Sequence, residues 1–446
     1  MKPVWLVLPD RFSSRLFFDT GIVEHLRSRL GDRLVLVLDK GEAEWAARAP
    51  GVRVIARDEL TSANATVWQR ADRRLDEVLG FYPLSLRQSL RHCFNRERMQ
   101  AGHQNWFLDP MRAGPLPRWQ VLDRAMEAWH YGRLRHIPRP LLESLRTERP
   151  AVALANTQMH SVQPFIVAAQ RLDLPVVGHI ASWDHTVGKG VVAPDLRRYI
   201  VQNDVMRDDL VRYHGLDAER VVVTGWPQTD VFYRQRTRSD FDEVVRGLGL
   251  DPARPVVLVM GNSPTNAPYE KQFVERLVSW WEQSGASGRF SLLFRPHPRD
   301  RQWRERFRPA LSREGVAVQE PSFTDLKTLA VLLQHGNAVV SNAGTILLDA
   351  LVNDRPAVCV LYDEGAPVGE SWAWKNVSGE HYKSLIESNA FYRADRFEEV
   401  TASIERALAH PGELTAERAR VAREVVGEVD GCAAERVADA VVTAIQ

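Results

Sequence analysis

The sequence predicts an α/β protein of two domains, each an alternation of short buried strands with helices. Three observations carry this. Apolar runs of three to five residues recur with helical stretches between them: Val4–Leu8, Leu34–Leu38, Val52–Ile55, Ala151–Ala155, Val176–Ile180, Tyr199–Gln202, Val221–Thr224, Val256–Met260, Leu292–Phe294, Val316–Gln319, Ala338–Val340 and Ala357–Leu361. Runs without polar alternation fit strands buried on both faces of a parallel sheet. The chain has 446 residues, too many for one compact core. Finally, Ala338–Asp363 reads AVVSNAGTILLDALVNDRPAVCVLYD, a strand, a small polar turn, a helix and a strand in succession.

In chain order, residues 1–232 form the first predicted domain. Met1–Leu6 runs into a strand and reaches Asp10-Arg11 too soon for a signal peptide. Pro9–Asp19 reads as a polar, aromatic loop, and Asp19 or Thr20 can cap a helix over Gly21–Leu30. This first strand-to-helix connection lacks the G-x-G-x-x-G spacing of a dinucleotide site. From about 63 to 149 the strand signals fade into an arginine- and aromatic-rich helical insertion. Arg87, Arg91, Arg96 and Arg98 precede Trp106, Phe107, Trp119, Trp129 and Tyr131. That pattern fits a docking surface for an anionic acceptor at a membrane face, or amphipathic helices around a satellite core. Alternation then returns, and Ser182–Gly190 follows a strand with Trp183, Asp184, His185 and Lys189 set among small residues. Residues 233–254 read as a polar linker, 255–412 as the second domain, and 413–446 as a terminal helix; the chain reads as helical after Asp363, with Leu414–Ile445 one long or broken helix.

Three segments carry the chemistry. Ser341, Asn342, Ala343 and Gly344 lie between a strand's carboxyl end and a helix start, where N–H groups and the helix dipole favour phosphate. Thr345 opens that helix and Asp349 follows one turn on, where a carboxylate suits polyol hydroxyls. The same stretch also fits a plain turn with Ser341 or Asn342 as the helix cap. Ser291–Arg299 reads SLLFRPHPR. Prolines on both sides stiffen the loop that holds His297, and Arg295 and Arg299 flank it, which suits a diphosphate. The bland alternative is a histidine bonded to a backbone carbonyl. Gly261–Asn266, with Asn262 and Ser263, is a further small polar turn after a strand. Asp184, His185 or Asp19 is positioned to serve as acid-base group, and Trp183 and Lys189 to meet an acceptor's ring and phosphate.

Arg-Pro-His-Pro, followed by the serine turn and Asp-Ala-Leu, resembles the nucleotide-binding domain of B-type (GT-B) glycosyltransferases. It is most similar to CDP-glycerol glycerophosphotransferases and related capsule transferases. Ser341, Asp349, Ala350, Leu351, Arg355, Pro356, Tyr362 and Asp363 match that family's pattern. Ser341–Gly344 departs from the acidic-Tyr-Ser-Ser turn more common there, which leaves the donor's identity open. The resemblance implies two Rossmann-like domains facing a cleft, and a terminal helix crossing back to the first. It implies transfer from a CDP-, CMP-, UDP- or GDP-linked sugar or polyol donor to a glycan or lipid-linked acceptor in bacterial cell-surface synthesis. It implies no metal and no other cofactor, with Arg295, His297, Arg299, Asn262, Ser263, Ser341, Asn342, Gly344, Thr345 and Asp349 on the donor.

Composition sets limits. A net charge of +1 argues against nucleic-acid binding. The three cysteines, Cys93, Cys359 and Cys432, stand apart without zinc spacing, which fits a reducing cytoplasm, with attachment at the inner membrane face as the alternative location. No apolar run reaches the roughly 20 residues needed to span a bilayer. Two other functions stay open. A sugar-nucleotide 2-epimerase of the same fold would carry paired glutamates where Leu348-Asp349 stands. A non-catalytic nucleotide-sugar binder would need none of the acid-base groups.

Overall fold

A computed structural model describes residues 2–61, 137–188, 192–342, 344–377 and 380–446. The expectations on Arg87–Tyr131, and on Lys189 and Ala343, lie outside the described residues. The described chain divides into two compact units. One comprises the residues up to Asp230 and those from Gly427; the other is Val231–Val426.

The first unit is built on a parallel sheet in the order β3-β2-β1-β4-β5-β6-β7. Its strands are β1 (Val4–Val7), β2 (Leu34–Leu38), β3 (Arg53–Ala56), β4 (Ala151–Leu154), β5 (Val176–His179), β6 (Arg198–Val201) and β7 (Val221–Val223). β1, β2 and β4 are apolar and buried throughout, as strands covered on both faces are. Edge strand β3, RVIA, is partly exposed. The second unit has the parallel order β10-β9-β8-β11-β12-β13. Its strands are β8 (Val256–Met260), β9 (Ser291–Arg295), β10 (Val316–Val318), β11 (Ala338–Ser341), β12 (Ala357–Val360) and β13 (Tyr392–Ala394).

The structure differs from the sequence reading in three places. Pro9–Asp19 is not a loop: Arg11–Asp19 is a helix. Asp10 caps it by accepting the Ser13 N–H at 2.7 Å, and Leu16, Phe17 and Phe18 are buried. The stretch read as a polar linker contains the helix Arg238–Gly247, which starts with a Thr237/Asp240 capping box and buries Phe241 and Val245. Beyond Asp363 the chain is not wholly helical, since β13 extends the sheet beside β12. The region 414–445, expected as one long or broken helix, is broken into two, Thr415–Val425 and Ala433–Ile445, separated by Gly427 and Gly431, both at positive φ.

The helix Ala433–Ile445 completes the first unit. Ala434, Val437, Ala438, Val441 and Ala444 share one core with Val4, Leu6, Leu34, Leu36 and Ala153. Asp230, 2% exposed, binds its first two N–H groups, Ala433 at 3.1 Å and Ala434 at 2.7 Å. This is a helix cap supplied from far away in sequence. Among the described residues, no helix is long and apolar enough to cross a membrane.

Candidate functional site

In the second sheet, β8 and β11 are neighbours, yet the chain runs from β8 outward to β9 and from β11 outward to β12. Their diverging connections leave a crevice at the carboxyl edge, the place where open α/β sheets bind ligands. The turn after β8 and the turn after β11 flank it.

The turn after β8 is held from beneath. Gly261 has no room for a side chain: a Cβ there would lie 2.8 Å from the Phe307 ring and 3.2 Å from Pro296 Cα. The Asn262 N–H donates to Glu270 Oε1 at 2.8 Å, and the Ser263 N–H donates to Asn262 Oδ1 at 2.8 Å. Arg306 donates to the carbonyls of Ala267 (2.7 Å) and Asn262 (3.2 Å). The same guanidinium pairs with Asp300 and lies 2.8 Å from Glu270 Oε2. The Arg306 and Glu270 side chains are 9% and 11% exposed. Burial pushes the Glu270 carboxyl up to about 7, against the opposing pull of Arg306.

The turn after β11 is tied to its neighbours. Ser341, 3% exposed, donates its hydroxyl to the Met260 carbonyl at 3.1 Å. The Asn342 amide donates to the Val360 carbonyl at 2.6 Å and accepts from Asn376 at 2.6 Å. Asn376 also donates to the Asn266 carbonyl at 2.7 Å, so one side chain links both turns. Gly344, at φ 109°, caps the helix Thr345–Val352, and its N–H donates to the Tyr382 hydroxyl at 2.6 Å. The positive φ favours glycine there. Asp349, one turn into that helix, is 2% exposed. A cavity of about 40 Å³ opens between the two turns, lined by Glu270, Ser341, Asn342, Tyr269, Tyr362 and Asp363, among others. Burial raises the Asp363 carboxyl although it accepts the Ala373 N–H at 2.9 Å.

The loop after β9 carries the histidine. The Arg299 N–H donates to His297 Nδ1 at 3.1 Å, so the neutral ring carries its proton on Nε2. The carbonyl of His297 is engaged by the Asp300 N–H at 2.8 Å, which joins this loop to the Arg306 cluster. Arg295 differs from the sequence expectation. Its side chain, 12% exposed, donates to Gln319 at 2.8 Å and pairs with Asp325, so its charge is already committed. Arg299 is exposed.

In the first unit the switch point lies between β1 and β4, and β5 is next to β4. Ser182 donates to Asp184 Oδ1 at 2.5 Å, after which His185 starts a short helix to Gly188. Gln158, after β4, donates to the His185 carbonyl at 2.9 Å. Trp183 is 6% exposed, so its indole belongs mainly to the core. Asp19 ends the helix after β1, 7% exposed and paired with Arg48 at 2.8 Å. His179 was not singled out in the sequence. It is 2% exposed at the end of β5, its Nδ1 lies 3.0 Å from the Ala155 carbonyl, and burial lowers it to about 4.

Two parallel α/β units in one chain, the second with a ligand-type crevice at its switch point, have the architecture of the GT-B fold. Solved structures share the fold. A glycosyltransferase from Rickettsia africae ESF-5 is 10% identical over 99% of this chain and 98% of that one, at a TM-score of 0.53. UDP-GlcNAc 2-epimerase from Neisseria meningitidis, bound to UDP-GlcNAc, is 8% identical over 99% and 100%, at 0.59. Arabidopsis thaliana UGT89C1, complexed with UDP, is 10% identical over the whole of both chains, at 0.54. No curated protein sequence matches the chain. Residues 192–443, more than half of it, match the family described as CDP-Glycerol:Poly(glycerophosphate) glycerophosphotransferase. The chain belongs to that family, and the protein is a nucleotide-sugar or polyol-phosphate transferase.

Proposed function

We propose that the protein transfers a sugar or polyol phosphate from a CDP-, CMP-, UDP- or GDP-linked donor to a glycan or lipid-linked acceptor of a cell-surface polymer, without a metal ion. The observation that carries this reading is the pair of turns flanking β8 and β11, bridged by Asn376, next to a histidine loop whose tautomer keeps a proton on Nε2. The donor's diphosphate sits against Asn262, Ser263, Asn342, Gly344 and Thr345, Ser341 ties the turn to β8, and Asp349 orients the donor's hydroxyls. His297 Nε2–H stabilises the charge that develops on the leaving phosphate, and Arg299 adds positive charge from the same loop. Arg295 contributes through the loop it anchors. On the first unit, Asp184 takes the proton of the acceptor hydroxyl. His185 is the next choice, and the ion pair of Asp19 with Arg48 makes it the least suited of the three.

Family membership supports a CDP-linked donor. The test is a thermal-shift panel of CDP, UDP, GDP and CMP compounds, followed by a transfer assay with the best donor and a lipid-linked acceptor. A ligand at 100 times its Kd stabilises by about 2.7 kcal/mol. No shift with any nucleotide overturns the reading. Epimer formed from UDP-N-acetylglucosamine without an acceptor would replace it with the epimerase alternative.

A further inference from the structure

Glu270 is a buried carboxyl directly beneath a turn that flanks the crevice. Its Oε1 accepts the Asn262 N–H. Its Oε2 is buried and lies 2.8 Å from Arg306, so a proton added there gives up that contact while Arg306 keeps Asp300. Arg306 is shared with Asp300. With both acids ionised, one arginine faces two carboxylates, leaving one net negative charge buried under the turn. A diphosphate bound in the crevice adds more negative charge at short range, in surroundings where water screens poorly.

We propose that Glu270 couples diphosphate binding to uptake of a proton from solvent, with Arg306 and Asp300 holding it in position to do so. This rests on the reading that the donor's diphosphate occupies the crevice. The proton goes to Glu270 Oε2, and the Arg306–Asp300 pair then balances. The other groups around this carboxyl fit the assignment. Arg306 comes from the helix Trp303–Arg306 and Asp300 from the loop after β9. Beyond β12, Tyr362, Asp363 and Glu364 line the same cavity, with Tyr269 at the head of Glu270's own helix. Glu364 is neutralised by Arg276 at 2.7 and 2.9 Å. Burial already brings Glu270 to about 7, within reach of further protonation near neutral pH. A buried carboxylate close to a phosphate site would otherwise weaken binding; a proton-accepting one does not.

The experiment is calorimetry of the full chain with CDP-glycerol, whose esterified diphosphate has no proton to lose near pH 7. Titrations at pH 7.5 in buffers of different ionisation enthalpy count the protons taken up. The wild type takes up a fraction of a proton, and its affinity falls by at most about tenfold per pH unit above 7. Glu270→Gln keeps an acceptor for the Asn262 N–H, so it binds without uptake and with a flatter pH dependence. Equal uptake in both proteins, or tight binding by the wild type with none, overturns the proposal. Uptake lost in His297→Gln but kept in Glu270→Gln moves the proton to His297 and also overturns it. A second measurement needs no variant: infrared difference spectra on binding should gain a protonated-carboxyl band, and its absence counts against the proposal. If neither CDP-glycerol nor UDP-N-acetylglucosamine binds, the donor-site reading fails and takes this proposal with it.

Discussion

Replacing Arg306 with leucine should cost about 4 kcal/mol at pH 8 and distinctly less at pH 5.5. The guanidinium is 9% exposed and serves two carboxylates and two carbonyls. Removing one member of a buried ion pair costs about 3–5 kcal/mol, because the other charge stays buried without a partner. Each orphaned carbonyl adds about 1 kcal/mol, and the new apolar side chain offsets part of that. The pH dependence comes from Glu270. Its folded value, about 7, lies above the unfolded one, so its contribution is favourable at low pH and is lost as pH rises through about 7. Arg306 opposes that rise; without it the folded value climbs further and the loss extends to higher pH. The gap between the two proteins therefore widens above pH 7, by about 1.4 kcal/mol for each unit of further shift. At pH 5.5 Glu270 is protonated in both folded forms, and the remaining cost is that of Asp300 and the carbonyls. Urea unfolding at the two pH values measures this, reading the transition of the second unit because two units need not unfold together. A cost below about 1 kcal/mol at both pH values, or a larger cost at 5.5 than at 8, would refute the argument.

Three further outcomes are expected. His297→Ala should lose about 10²- to 10³-fold in turnover, the range for one stabilising donor, with its melting curve unchanged; wild-type turnover in a folded variant removes His297 from the chemistry. Asp184→Asn should bind nucleotide within a few-fold of wild type while turnover falls by about 10²- to 10⁴-fold, measured by calorimetry and transfer assay on one preparation. Normal turnover would move the base to His185. Asp230→Ala leaves the Ala433 and Ala434 N–H groups without their buried acceptor. It should cost about 2–3 kcal/mol from the lost cap and the orphaned donors, and a loss under about 0.5 kcal/mol by urea melting would show that the cap is dispensable.

The strands were legible because a parallel sheet covered on both faces needs unbroken apolar runs, such as Val256–Met260 and Ala338–Ser341. Failures came where local signals were weak. β13 has three residues with Arg393 at its centre, and the helix Arg11–Asp19 hides its apolar stripe among serines and arginines. The small polar turns of the site could be seen because little else follows a buried strand so abruptly. Their supports could not. Asn376 meets Asn266 from 110 residues away, and Arg306 reaches Ala267 from 39, distances at which sequence spacing carries no information. Arg295 shows the opposite error: an arginine at a strand's carboxyl end suggested a phosphate ligand, but Asp325, 30 residues on, had already claimed it.

The distant cap on the helix Ala433–Ile445 sets a timetable for synthesis. Ala433 and Asp230 are 203 residues apart, and a ribosome adding roughly 5–20 residues per second needs about 10–40 s to cover that interval. Throughout it, the apolar faces of β1 and β2 lack Val437, Ala438 and Val441, which share their core. Every strand of the second sheet is encoded between these points, so the nascent chain can finish its second sheet before its first is closed. An unfinished parallel sheet with an uncovered apolar face is an aggregation hazard. Codon choice and chaperone supply across residues 231–432 should therefore affect the yield of the first unit more than changes made within its own early sequence.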